Sequence, residues 1–184
     1  GTLTINGGGT ISNNSTDPDN SNAIVARGGN LTLNGGTRFQ AQRDAINMST
    51  GNLNIGSGYF YGIEGDTIVY GGGNWKSGAV SINTAKIYAP KKNLQAVRFQ
   101  SGKYNATINN TWMGNGSSNA AGKYGNGTGE QSALCIYNSG TVTTNGSTRI
   151  YGGPYGGHPI GRYTSGTTNF LGDTYVYSTY SGTD

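Results

Sequence analysis

"GGNLTLNGGTRFQAQRDAIN", residues 28–47, and "TGNLNIGSGYFYGIEGDTIV", residues 50–69, repeat one pattern 22 residues apart. Each opens on an alternating apolar run, Leu31 with Leu33 or Leu53 with Ile55, and turns on glycine. Each then passes through an aromatic second run and closes on Asp-Ala-Ile or Asp-Thr-Ile. A repeat of this length has to be traced through the whole chain before a fold is assigned.

Seven segments begin alike: "TLTINGG", "NLTLNGG", "NLNIGSG", "AVSINTA", "NATINNT", "TVTTNGS" and "TTNFLGD". Their second apolar position falls at Ile5, Leu33, Ile55, Ile82, Ile108, Thr144 and Phe170, with spacings of 28, 22, 27, 26, 36 and 26. A second strand is expected about six residues on, with Ile11, Phe39, Tyr61, Tyr88, Ile150 and Val176 in one column. A third strand follows in "NAIVARGG", "DAINMSTG", "DTIVYGGG", "QAVRFQSG", "SALCIYNSG" and "HPIGRYTSG". Apolar residues alternate in each piece, the mark of strands with one buried face. Three short strands per 22 to 36 residues predict one turn of a parallel β-solenoid of six to seven coils. A β-sandwich would also use short strands and glycine turns, but gives no reason for the three-strand order to recur.

Composition agrees. The 184 residues include 34 Gly and only 11% charged residues, unlike an ordinary globular enzyme. Thirteen Tyr and two Trp argue for order rather than disorder. The net charge of +4 comes from scattered side chains, which speaks against a nucleic-acid partner and leaves room for mild attraction to polyanions. A single cysteine, Cys135, permits no internal disulfide and is expected to point outward between Leu134 and Ile136. No run approaches the roughly 20 apolar residues of a membrane helix, so direct membrane insertion is not expected. The chain is read as a single β-helix segment over 1–184, cut from a longer surface protein, with neither end resembling a cap.

Asparagine follows the first strand at Asn6, Asn34, Asn83, Asn109 and Asn145, with Gly56 breaking the series. Stacked coils lie about 4.8 Å apart, so these amides can bond one another along the rod. With the "DAI" and "NAI" strands, this grammar resembles the right-handed parallel β-helices of the pectate-lyase-like superfamily. The nearer likeness is to its non-catalytic adhesive and carbohydrate-binding members on bacterial surfaces. The resemblance covers nearly the whole chain, and its motifs specify fold better than activity.

Two places before the inward Ile of the third strand, the column reads Asn22, Asp44, Asp66, Gln95, Ser132 and His158. Asp44 and Asp66 become neighbours in adjacent coils, with Glu64 nearby. Calcium is one expectation for these three acids, since it takes 6 to 8 oxygen ligands; an ion pair of Asp44 with Arg43 is the other. The resemblance also implies a lyase chemistry using calcium and an arginine base, for which Arg38, Arg98 and Arg149 are candidates. None of them faces an acidic cluster in the alignment, and the remaining acids are dispersed, so no catalytic residue is assigned.

The aromatic surplus is more informative. Tyr59, Tyr61, Tyr88, Trp112, Tyr151, Tyr175 and Tyr177 fall on or beside the second strands and predict an external stripe, or else cross-strand pairs that only stabilise the sheet. Longer loops are expected at 114–131 and 152–159. Trp75, Lys76, Trp112, Tyr124, Tyr151 and Tyr155 are the expected ligand contacts. The expected function is an extracellular, non-catalytic glycan-binding region on a cell surface, presenting rings and amides to a polysaccharide or host glycan, neutral or acidic. The alternatives are a stalk, filament or sheath subunit that self-associates through its ends, and a polysaccharide lyase or phage tail-spike depolymerase.

Overall fold

The computed structural model describes residues 1–17, 19–71, 78–100, 102–120, 122–123, 132–137, 140–155, 158–163 and 166–179. The first coil contains β1 (Thr2–Ile5), β2 (Thr10–Asn13) and β3 (Ile24–Ala26), and the second β4 (Asn30–Leu33), β5 (Arg38–Ala41) and β6 (Ile46–Met48). The third contains β7 (Asn52–Ile55), β8 (Gly58–Gly62) and β9 (Ile68–Tyr70), and the fourth β10 (Gly78–Asn83), β11 (Ala85–Lys91) and β12 (Val97–Phe99). The fifth contains β13 (Tyr104–Asn109), β14 (Trp112–Ser118) and β15 (Ser132–Tyr137), and the sixth β16 (Thr141–Asn145), β17 (Arg149–Gly152) and β18 (His158–Tyr163). A partial seventh coil adds β19 (Thr167–Phe170) and β20 (Tyr175–Ser178).

First, second and third strands each stack only with their own kind. They form sheet A (β1-β4-β7-β10-β13-β16-β19), sheet B (β2-β5-β8-β11-β14-β17-β20) and sheet C (β3-β6-β9-β12-β15-β18), every pairing parallel. The fold is a right-handed parallel β-helix. No helix long and apolar enough to cross a membrane occurs among the described residues.

The register of sheet A puts Ile5, Leu33, Ile55, Ile82, Ile108, Thr144 and Phe170 in one column, as the repeat predicts. In sheet C, Ile24, Ile46, Ile68, Val97, Leu134 and Ile160 align likewise. Sheet B requires a correction. Its inward column is Ile11, Phe39, Phe60, Ile87, Met113, Ile150 and Val176, so Tyr61 and Tyr88 lie one residue off the predicted positions and face outward. A one-residue change of register exchanges the faces of a strand. The stack of Phe39 on Phe60, with centroids 4.9 Å apart and planes within 3°, fixes the choice inside the core.

The asparagine series bonds as expected at two steps: Asn34 Nδ2 donates to Asn6 Oδ1 at 3.1 Å, and Asn109 Nδ2 to Asn83 Oδ1 at 2.9 Å; at the last step Asn145 Oδ1 accepts from the Gly146 amide at 2.8 Å instead. At the interruption, a Cβ on Gly56 would collide with Asn34 Oδ1, so glycine leaves the amide its space. A second amide row runs at the start of the same strands, where Asn52 Nδ2 donates to Asn30 Oδ1 at 2.8 Å. The corner between sheets A and B holds a left-handed residue at Thr84 and Asn110 (φ 48° and 47°), a conformation that costs Asn less than Thr.

The loop expected at 114–131 begins later than the composition suggests, because "GNGSS" continues β14 to Ser118, paired with β11. Residues 124–131 lie outside the described residues. The inward columns remain open at the first and last described coils: Leu3 is 51% exposed, against 2% for its partner Leu31, and Val176 43%, against 0% for Ile150.

Candidate functional site

Two neighbourhoods stand out on the frame. The first lies in the turns leading into sheet C. Asp44 and Asp66 occupy successive rungs of the predicted column, each tied to the rung on its other side: Asn22 Oδ1 accepts from the Asp44 amide at 3.0 Å, and Asp66 Oδ1 from the Gln95 amide at 2.9 Å. Both carboxylates are buried. Asn47 donates to Asp44 Oδ2 at 2.8 Å, with Arg43 Nε 3.7 Å away, and Arg98 Nη1 lies 3.0 Å from Asp66 Oδ2. Burial, reinforced by the nearby Asp66 charge, pushes the Asp44 carboxyl up to about 7. Burial also raises Asp66, against the pull of Arg98.

Glu64 does not join them. It faces Lys91 Nζ at 2.5 Å and accepts the Lys123 amide at 3.0 Å. Thus the structure places Asp44 and Asp66 on successive rungs and Glu64 apart from them. Each carboxylate has a cationic side chain within 4 Å, and no three metal-ligating side chains converge among the described residues. Contrary to the alignment, one arginine does face an acid, Arg98 at Asp66; both are buried, so the pair braces the turn rather than meeting a polymer. Cys135 has the expected outward parity, in register with Arg98 and Gly161, and is fully buried there.

The second neighbourhood is the outer face of sheet B. Strand alternation places Gln40, Tyr61, Tyr88, Gly114, Tyr151 and Tyr177 in one outward column. Tyr61 stacks on Tyr88 with centroids 5.7 Å apart. The column would break at Gly114, but Trp112, from the neighbouring outward column, leans across it and lies 5.9 Å from Tyr88 and 6.0 Å from Tyr151. Only glycine allows this: a Cβ at Gly114 would stand 2.8 Å from the indole edge. Tyr151 then meets Tyr177 edge to face at 4.3 Å. Five rings form one continuous track over five coils.

The track remains accessible. Tyr61, Tyr88, Trp112 and Tyr151 are partly exposed, and Tyr175 and Tyr177 are exposed. A groove of about 410 Å³ runs between Tyr59, Tyr88, Trp112 and Tyr151 and is flanked by Gly153 and Pro154. A second of about 210 Å³ lies between Arg149, Tyr151, Tyr175 and Tyr177. The Tyr151 hydroxyl is raised above its ordinary range, first by its hydrogen bond with Tyr177, and burial raises Tyr61 beside Tyr88.

Of the predicted contacts, Trp112 and Tyr151 meet in this track, whereas Tyr155 is exposed in the following turn and does not line the groove. Trp75, Lys76 and Tyr124 lie outside the described residues. Sequence reading assigned no role to Gly114, over which Trp112 leans. The signal was available once the second strands were aligned on Phe60 and Ile87 rather than on their tyrosine neighbours.

No family model matches this chain, and no curated protein or solved structure is similar enough to count as a match. The architecture is that of a parallel β-solenoid of about six turns.

Proposed function

We propose that this β-helix is a non-catalytic glycan-binding region of an extracellular bacterial adhesive protein of the pectate-lyase-like kind, holding an extended polysaccharide along the outer face of sheet B. The observation that carries the reading is the unbroken, accessible row Tyr61–Tyr88–Trp112–Tyr151–Tyr177. Aromatic faces attract the C–H groups of pyranose rings and present area with little side-chain entropy to lose. Contiguous aromatic patches that stay partly open to water mark contact surfaces. The coil spacing of about 4.8 Å places successive contacts at intervals comparable to one sugar unit. Weak contacts repeated in register on one rigid frame act as linked sites and gain avidity.

Electrophoresis in native gels cast with acidic or neutral polysaccharides tests the reading. Retardation in at least one intact polymer is expected, and the double variant Trp112→Ala, Tyr151→Ala should migrate freely. Unchanged mobility of the parent protein in every gel would refute glycan binding.

A further inference from the structure

The neighbouring outward column of sheet B has an order of its own. Through six successive coils it reads Arg38, Tyr59, Lys86, Trp112, Arg149 and Tyr175, each residue in direct register with the next. From the second coil to the seventh, cation and ring alternate, and Thr10 occupies the same column in the first coil. The Arg38 guanidinium lies 5.2 Å from the centre of the Tyr59 ring and that of Arg149 4.8 Å from Tyr175, contacts that lay the planar cations along the surface. Lys86 is exposed and has no ion-pair partner among the described residues. The cations therefore recur every second coil, about 9.6 Å apart at the usual strand spacing.

Resting on the glycan-binding reading, we infer that this column selects an anionic polysaccharide with one acidic group per disaccharide, its acid units meeting Arg38, Lys86 and Arg149 and its neutral units lying on Tyr59, Trp112 and Tyr175. The ring rungs offer aromatic carbon without a formal charge of their own and the cation rungs a positive charge, so the two kinds of rung discriminate between neutral and charged sugars. A uniformly acidic chain would place every second carboxylate on an uncharged aromatic rung. A neutral chain gains nothing from the cations. Only an alternating chain satisfies both sets of rungs at once.

The Arg149 rung also shows how a carboxylate sits there. Asp173, itself exposed, brings Oδ2 to 3.4 Å from Arg149 Nη2, while Nη1 donates to the Asp173 carbonyl at 2.7 Å and to the Thr148 carbonyl at 3.3 Å. This carboxylate competes with an incoming acid, so Asp173→Asn should tighten binding of the acidic polymer.

The test is calorimetric titration of the whole chain with three oligosaccharides of equal length. They are hyaluronan fragments, in which glucuronate alternates with a neutral amino sugar, the same fragments with their carboxyls reduced, and oligogalacturonate. Hyaluronan fragments should bind about tenfold more tightly than either other ligand, a difference of roughly 1.4 kcal/mol. High salt should erase that preference, and Lys86→Gln should narrow it. Equal binding of reduced and native fragments would overturn charge selection, and equal or tighter binding of oligogalacturonate would overturn the alternation; either leaves the glycan-binding reading standing. Binding of none of the three, by a protein that is retarded in no polysaccharide gel, would overturn both.

Discussion

Sheets B and C turn the same kind of alternating strand outward, and their outer faces meet opposite fates. On sheet B the outward rings touch one another and stay partly open to solvent. On sheet C the outward column is exposed at Val25 and half-buried at Asn47, but it is buried from Val69 through Arg98 to Cys135, and Arg98 finds its carboxylate in Asp66 of the preceding coil. A charge removed from water is costly unless paired, so the turns before sheet C consume their own ionisable groups. Aromatic rings carry no such debt and can be held in order while still facing a ligand. In this chain the buried acids Asp44 and Asp66 support the frame, and the aromatic rings of sheet B lie on the surface.

The hardest blow to that contrast should come from Asp66→Ala. It strips Arg98 and the Gln95 amide of their acceptor in a buried site and should cost about 3–5 kcal/mol in chemical denaturation. Trp112→Ala should cost only about 1–2 kcal/mol, since partly exposed ring contacts are worth roughly 0.5–1.5 kcal/mol each, yet it should abolish most glycan retardation. Equal stability losses in the two variants would break the division between frame and surface.

A second experiment sharpens the frame side. Asp44 holds its proton up to about pH 7 in the fold, whereas its ordinary pKa is 3.8. The associated stability is present below about pH 4 and is lost as pH rises toward 7, by up to about 1.4 kcal/mol per unit. Asp44→Asn should flatten the dependence of the urea midpoint across this range. An unchanged slope would show that the carboxyl is already ionised in the folded protein.

The smallest structural effect belongs to Gly114→Ala. The added methyl meets the Trp112 ring and should tilt it off the track, weakening glycan binding several-fold while stability changes by less than about 1 kcal/mol. Binding equal to that of the parent would show that the ring's position over the strand is immaterial.

The repeat made sheet A legible residue by residue, because Leu, Ile and Val alternate there with polar residues; in sheet C, where both parities of β9 and β12 are buried, the recurring Asp-x-Ile and its equivalents set the register instead. Sheet B was harder. "GYFYG" offers three successive rings, any of which suits either face, and the choice depends on the stack of Phe39 on Phe60 across coils. The rung shared by Asp44 and Asp66 could be read from the alignment, but their chemistry could not. Lys91 and Arg98, which neutralise Glu64 and Asp66, stand 27 and 32 residues further along and arrive through coil geometry. Trp112 and Tyr151 were legible as surface rings; their junction across Gly114 depends on two outward columns leaning together, which a one-dimensional alignment does not contain.

The most direct measurement of the central claim uses Trp75→Phe, which leaves Trp112 as the sole indole. Its fluorescence should shift to the blue and saturate as hyaluronan or a neutral β-glucan is titrated in, because a sugar seated on the track removes water from the ring. Saturable binding by calorimetry with no change in Trp112 emission would place the glycan elsewhere on the molecule and contradict the account.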